Sequence, residues 1–260
     1  MMEKWGTSIW RYHAVRHLRL VSTWVVVVLV ALTAVTSGVI TEYTPAILES
    51  VAGEGMSELL AATMPDPSWE QAYAQWAKNL AQAITLALVT VNALGAAALV
   101  RNGDIPFILT GRLSRSKYLS AAIVSNWLAT GMYALLGAVL TWLGTIVFFP
   151  EAPLVPVMLA TLVWALEVAL IAGFQFVAAT WRPGIGAPLL TGLGMYFLIT
   201  VAGISQKVEE YSPVGLRSLS RQLIFEPSDV SWVYSVGSSV AALVAIFAVA
   251  VYFFERAELE

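Results

Sequence analysis

Glu167 stands alone in an apolar run, Leu162-Val163-Trp164-Ala165-Leu166-Glu167-Val168-Ala169-Leu170, and no other acidic or basic group falls inside a stretch able to cross a bilayer. Holding a charge at mid-bilayer costs about 3 kcal/mol on insertion scales, so this carboxyl is expected to be protonated, paired or beside water. One use is chemical: contact with a cationic substrate, or passage of a proton. The other is structural, an interhelical hydrogen bond from a neutral carboxyl, with Gln175, Asn126 and Asn92 in neighbouring apolar stretches as candidate partners. Asn92, Asn126, Glu167 and Gln175 are therefore the candidate lining of a translocation pathway, with helix packing as the competing role.

Other reactive groups are sparse. The two histidines, His13 and His17, are four residues apart on one helix face, a metal-ligand spacing. Without a third ligand nearby they read as headgroup-facing side chains, and no metal site is expected. Cysteine is absent, which excludes disulfides, thiolate catalysis and thiolate-held clusters. Glu209-Glu210 with Arg217 resembles the paired-Glu signature of membrane-embedded CAAX-processing proteases. That pair falls outside the membrane, however, and no membrane histidine accompanies it. No catalytic residue is assigned. No Gly-x-x-x-x-Gly-Lys-Ser/Thr sequence is present to cradle a nucleotide phosphate, and no nucleic-acid-binding motif occurs.

The elements that carry these residues follow from composition. Hydrophobic residues make up 58% of the 260-residue chain and charged ones 12%, against a usual charged share of about 25%, too few to coat a soluble globule. The pattern predicts an all-α polytopic membrane protein, one transmembrane domain over 1–260, with six spans at 20–41, 79–100, 118–149, 154–180, 185–204 and 232–254. Ten of the 14 Lys and Arg then share one side: Lys4, Arg11, Arg16, Arg19, Arg101, Arg112, Arg115, Lys117, Arg182 and Arg256. The positive-inside rule makes that side, and both chain ends, cytoplasmic.

Between spans the sequence is helical as well. Residues 1–19 fit an interfacial helix with Trp5, Ile9 and Tyr12 on one face. In the external segment 42–78, Pro45 is expected to open one helix, and Ser68 to cap a second that bears Trp69, Tyr73 and Trp76 as an interfacial aromatic stripe running into span two. The cytoplasmic loop 101–117 holds a short helix capped by Asp104, with Pro106 near its start. It displays Ile105, Phe107, Ile108 and Leu109, four apolar side chains that need a protein surface or a lipid interface to cover them. Ser114 caps the next helix. In the external segment 205–231, Ser212 and Pro213 start an amphipathic helix with Leu216, Leu219 and Leu223 on one face and Arg217 and Arg221 on another, lying along or dipping into the outer leaflet.

Two stretches resemble the ABC-2 permeases, the membrane subunits of type-2 ATP-binding-cassette exporters. Pro67-Ser68-Trp69-Glu70-Gln71-Ala72-Tyr73-Ala74-Gln75-Trp76-Ala77-Lys78-Asn79-Leu80 is similar to the entry into the second span of small bacterial members. Asn102-Gly103-Asp104-Ile105-Pro106-Phe107-Ile108-Leu109, followed by Arg112-Leu113-Ser114-Arg115-Ser116-Lys117-Tyr118, resembles their loop between spans two and three, with Leu113 where a Pro is usual. The resemblance implies a permease dimer, with a second copy of this chain as the expected partner, in a bacterial plasma membrane and exporting an amphipathic or lipid-like compound such as a drug, antibiotic or peptide. It also implies two cytoplasmic ATPase subunits that carry the ATP and Mg, so the chain itself binds no cofactor and is not by itself an enzyme. On that likeness Asp104, Ile105, Pro106, Phe107, Ile108, Leu109, Arg112 and Arg115 make the coupling contact. A non-transporting membrane sensor or assembly component that anchors an ATPase is the alternative.

Overall fold

The computed structural model describes residues 3–51, 66–101, 114–182, 184–225 and 232–256, and every regular element among them is helical. α1 covers Glu3–Arg19 and α2 covers Val21–Val51. α3 (Trp69–Asn79) passes through one π turn, Leu80–Ile84, into α4 (Thr85–Arg101) without a break. α5 (Arg115–Ile146) and α6 (Leu154–Trp181) are long. α7 (Gly186–Ala202), α8 (Gln206–Tyr211), a single 3-10 turn Pro213–Gly215 and α9 (Leu216–Phe225) are short, and α10 (Val233–Arg256) closes the bundle.

Among the described residues five stretches are long and apolar enough to cross a membrane: Val21–Ile47, Trp69–Leu99, Arg115–Ile146, Leu154–Trp181 and Val233–Arg256. The sixth expected span is not a helix of that kind. α7 has 17 residues, about 25 Å at 1.5 Å per residue, against a hydrocarbon core of about 30 Å.

What completes the path is visible in the contacts along α6. At one end of the bundle α1 packs on the start of α5, His13 against Tyr118. There too Arg115 donates to the Glu255 carbonyl at 3.4 Å near the end of α10, and Phe176 of α6 joins Tyr118 and Phe254 in one cluster. Since α6 ends where α10 also ends, the chain has to traverse the bundle between Trp181 and Val233. α7 pairs with the C-terminal half of α6, from Gly192 against Gln175 up to Thr200 near Glu167. α9 then lies on the N-terminal half, with Arg217 at Glu167, the Ser220 hydroxyl donating to the Ala160 carbonyl at 2.9 Å, and Ile224 clustered with Val157. Residue numbers rise along α9 as they fall along α6, so the two are antiparallel.

Capping chemistry read from the sequence is largely present. The Ser114 hydroxyl accepts from the Lys117 amide at the start of α5, and the Ser212 hydroxyl accepts from the Val214 amide with Pro213 opening the turn. Ser68 is extended at the head of α3 but makes no side-chain cap bond. Pro45 does not begin a helix. It sits inside α2, which continues to Val51, because the preceding turns are held by an apolar face packed on α5.

The aromatic stripe of α3 also lies elsewhere than expected. Tyr73 and Trp76 are fully buried: the Tyr73 hydroxyl donates to the Pro153 carbonyl at 2.9 Å, and the Trp76 indole donates to Thr161 Oγ1 at 2.9 Å. Packing against α6 satisfies both polar tips and removes the need for a headgroup. The segment predicted as external, 42–78, is therefore partly the end of α2 and partly the first turns of the α3–α4 helix, with 52–65 outside the described residues.

The helices approach closely where glycine permits. A Cβ on Gly38 of α2 would come within 2.9 Å of the Gly144 carbonyl oxygen of α5, so these backbones touch directly, as small residues allow between apolar helices. Gly38→Leu or Gly144→Val is expected to force α2 off α5 and lose roughly 1–3 kcal/mol. Size-exclusion profiles after graded heating in detergent check this, with Gly131→Ala, where a Cβ meets nothing within 4 Å, as the neutral comparison.

α1 docks through Ile9 and His13, both buried, so His13 is not the headgroup-facing side chain its spacing suggested. Burial, with smaller contributions from the Arg16 and His17 charges, lowers its pKa from 6.5 to about 4. The unfolded or undocked imidazole binds a proton first as the pH falls. The stability contributed by neutral His13 is thus complete above about pH 6.5 and is lost on acidification through the interval down to about 4. Hydrogen exchange of α1 should accelerate selectively between pH 7.5 and pH 4.5, after correction for intrinsic exchange rates, and His13→Phe should flatten that dependence.

Candidate functional site

The site grows from an unmet need of α6. Its Glu167 is 1% exposed in a helix otherwise apolar at that level, and the bundle answers with Arg217. Arg217 Nη2 donates to Glu167 Oε1 at 2.6 Å. Nε donates to the same carboxylate at 3.2 Å and 3.4 Å. The remaining Nη1 donates to Thr200 Oγ1 at 2.7 Å, and the guanidinium lies 5.2 Å from the centre of the Tyr196 ring. A planar fork on a carboxylate with a ring on its face is an arrangement that arginine makes and lysine does not.

Three short-range features put Arg217 there. The 3-10 turn ends at Gly215, where a Cβ would lie 2.0 Å from the Glu209 carbonyl oxygen and 2.7 Å from Ser235 Oγ, so only glycine lets the chain enter α9 at this angle. Leu216 and Leu219 are buried and anchor α9 on α6, which rotates Arg217 toward Glu167. α7 stops just after Thr200, delivering the hydroxyl that takes the third guanidinium contact.

The pair borders a cavity of about 390 Å³, whose wall is made by Lys78, Gln82, Trp164, Tyr196, Arg217 and Arg221 together with Ala74, Ala77 and Ala81. The π turn shapes it. Thr85 Oγ1 donates to the Leu80 carbonyl five residues back at 2.7 Å, and the same hydroxyl accepts from the Trp164 indole at 2.9 Å, so the extra residue is locked to α6. Turns of this kind recur at functional sites. Gln82 lies in this turn and lines the cavity.

Depth matters for the cost. Gly215, two residues before Arg217, packs on Ser235 in the first turn of α10, and α10 is about 36 Å long. Gly173, six residues after Glu167, packs on Ile246, so the carboxylate lies about 9 Å from that level toward the start of α10, between the middle of the helix and its first turn. Glu167 is 1% exposed and Arg217 20%, so a charge there still requires its partner.

The other polar residues expected beside Glu167 are not its partners. Asn126 Nδ2 donates to Asn92 Oδ1 at 2.9 Å between α5 and α4. A cavity of about 30 Å³ beside Asn126 and His13 has room for one water. Gln175 Nε2 donates to the Val89 carbonyl at 2.8 Å and to the Pro188 carbonyl at 3.1 Å, a staple between α4 and α7. Gly192 admits it: a Cβ there would meet Nε2 at 2.3 Å. Asn92, Asn126 and Gln175 therefore bond to one another or to backbone carbonyls and are not among the residues lining the Glu167 cavity. Of the proposed coupling residues, Asp104, Ile105, Pro106, Phe107, Ile108, Leu109 and Arg112 lie outside the described residues, and Arg115 binds the end of α10. Among the described residues no group of three metal-ligating side chains forms.

Sequence reasoning missed Arg217 by leaving it on an external helix. The signal was available: a lone acid in an apolar span calls for a base, and residues 213–225 are the amphipathic element that offers one. No protein-family model matches the chain, and no curated protein matches its sequence.

Removing one member of the pair leaves the other without its counter-charge. Arg217→Met or Glu167→Gln is expected to destabilise the bundle by about 3–5 kcal/mol, while the double variant recovers most of the loss. Thermal midpoints of the four proteins in one detergent provide the cycle. A Glu167→Gln protein as stable as the parent would mean that the carboxyl is not held as an ion pair.

Proposed function

We propose that this protein is the permease subunit of an ATP-driven exporter for an amphipathic compound, working with cytoplasmic ATPase subunits. The observation that carries the reading is the cavity itself: a charged, partly apolar chamber built into a bundle of membrane-length helices, walled by a broken crossing and a π turn. A protein that only anchored a partner has no use for that chamber, which disfavours the assembly-component alternative.

The α7–α9 pair forms the fifth of six crossings in this reading, which keeps both chain ends cytoplasmic. The two pieces meet at Thr200 and Arg217, so a shift of either piece opens or closes the cavity wall. The loop between α4 and α5 is the handle for the ATPase, and its neighbour Arg115 ties the start of α5 to the end of α10. Displacement of the loop would thus reach two crossings together. ATP and Mg belong to the partner, and two permease copies complete the pathway.

Replacing Phe107 and Leu109 with Asp is expected to release a co-expressed ATPase while the permease stays inserted, because burying the new charges in a docking groove costs more than the contact supplies. Co-purification from membranes measures it. Undiminished recovery of the ATPase would remove the loop from the coupling role.

A further inference from the structure

The charges around the cavity do not cancel. Arg217 is neutralised by Glu167, the one carboxylate among the lining residues, whereas Lys78 and Arg221 also line it and neither has an acidic partner among the described residues. The lining carries three cations and one anion, a surplus of two positive charges. A cationic ligand would meet repulsion here despite Glu167.

Shape and depth narrow the class further. The chamber of about 390 Å³ falls in the range of small-molecule sites, roughly 300–1,000 Å³. Its cationic rim lies on α3 and α9, and one wall is the small apolar face Ala74, Ala77 and Ala81. It occupies the gap between α3 and α7, and the turns adjoining that gap in sequence carry the exposed apolar residues Leu86, Phe197 and Val201. Lys78 and Arg221 lie beside the first two turns of α6, where their neighbours Trp76 and Ser220 donate to Thr161 and to the Ala160 carbonyl, near one end of the bundle.

From Lys78 and Arg221, without acidic partners among the described residues, beside an apolar wall near one end of the bundle, we infer that this cavity binds the anionic headgroup, phosphate or carboxylate, of an amphiphile whose chain lies along the α3–α7 gap. Lys78 and Arg221 contact the anion, and Gln82 is placed to donate a further hydrogen bond. The Arg217–Glu167 pair holds the floor rigid, since its strongest donors are already used. This deepens the export reading by naming the cargo class, but binding requires neither ATPase nor transport.

Native mass spectrometry and thermal shift on the purified permease alone test it, with short-chain phosphatidic acid, the matching phosphatidylcholine and inorganic phosphate as probes. Phosphatidic acid is expected to bind at one site per chain, at least tenfold tighter than the other two. Lys78→Gln and Arg221→Gln should each weaken it about tenfold, the scale of one charge-assisted hydrogen bond. Both side chains are exposed, so the variants should fold, and their unliganded thermal midpoints verify that. Lys117→Gln, at the opposite end of the bundle, should leave the affinity unchanged. Phosphatidic acid binding that persists in both cavity variants, or that is matched by phosphatidylcholine, overturns the site. Equal binding of inorganic phosphate overturns the amphiphile and leaves a simple anion site. Failure of the unmodified permease to bind a co-expressed ATPase in a separate assay would defeat the exporter reading and leave this binding result standing.

Discussion

The contact between Arg217 and Glu167 dictates the architecture around it. A carboxylate on an apolar helix has to be compensated, and compensation from α9 requires the chain to leave α7 early, turn at Gly203 and again at Gly215, and continue along α6 toward its N-terminus. The interrupted crossing is thus the geometric consequence of bringing a base to that acid. Thr200 and Tyr196 then use the end of α7 to hold the guanidinium, so both broken pieces converge on one ionic centre.

Around this centre the bundle is fastened by polar contacts of limited number and by close backbone packing. Lipid supplies no hydrophobic force between helices, so association rests on fit and on satisfied polar groups. Gly38 against Gly144 joins α2 to α5, Gln175 staples α4 to α7, and Trp76 and Trp164 each donate to a threonine on a facing helix. The π turn belongs to the same system. Its spare hydroxyl contact with Trp164 fixes the helix exactly where the cavity needs Lys78 and Gln82 on one wall.

The chain places its ionic groups at two depths with different consequences. At the end of the bundle shared by α1 and the C-terminal turns of α10, cations and His13 surround aromatic packing. At the other end a buried pair is bordered by an apolar wall and by two cations without acidic partners among the described residues. This asymmetry distinguishes the cavity from the basic surface expected of any cytoplasmic face.

The sequence by itself determined the all-helical class with long apolar helices, the caps at Ser114 and Ser212, and the fact that Glu167 must be compensated. These follow from local composition and from the cost of charge in hydrocarbon, which need no knowledge of neighbours. It did not determine the partner of Glu167, the burial of Tyr73, Trp76 and His13, or the division of the path between α6 and α10 into α7 and α9. Each of those depends on which helix face meets which. The same Arg217 serves an interfacial helix or an internal ion pair according to how α9 is rotated against α6. That rotation is set by the packing of Gly215, Leu216 and Leu219 on distant residues, so only the tertiary structure decided it.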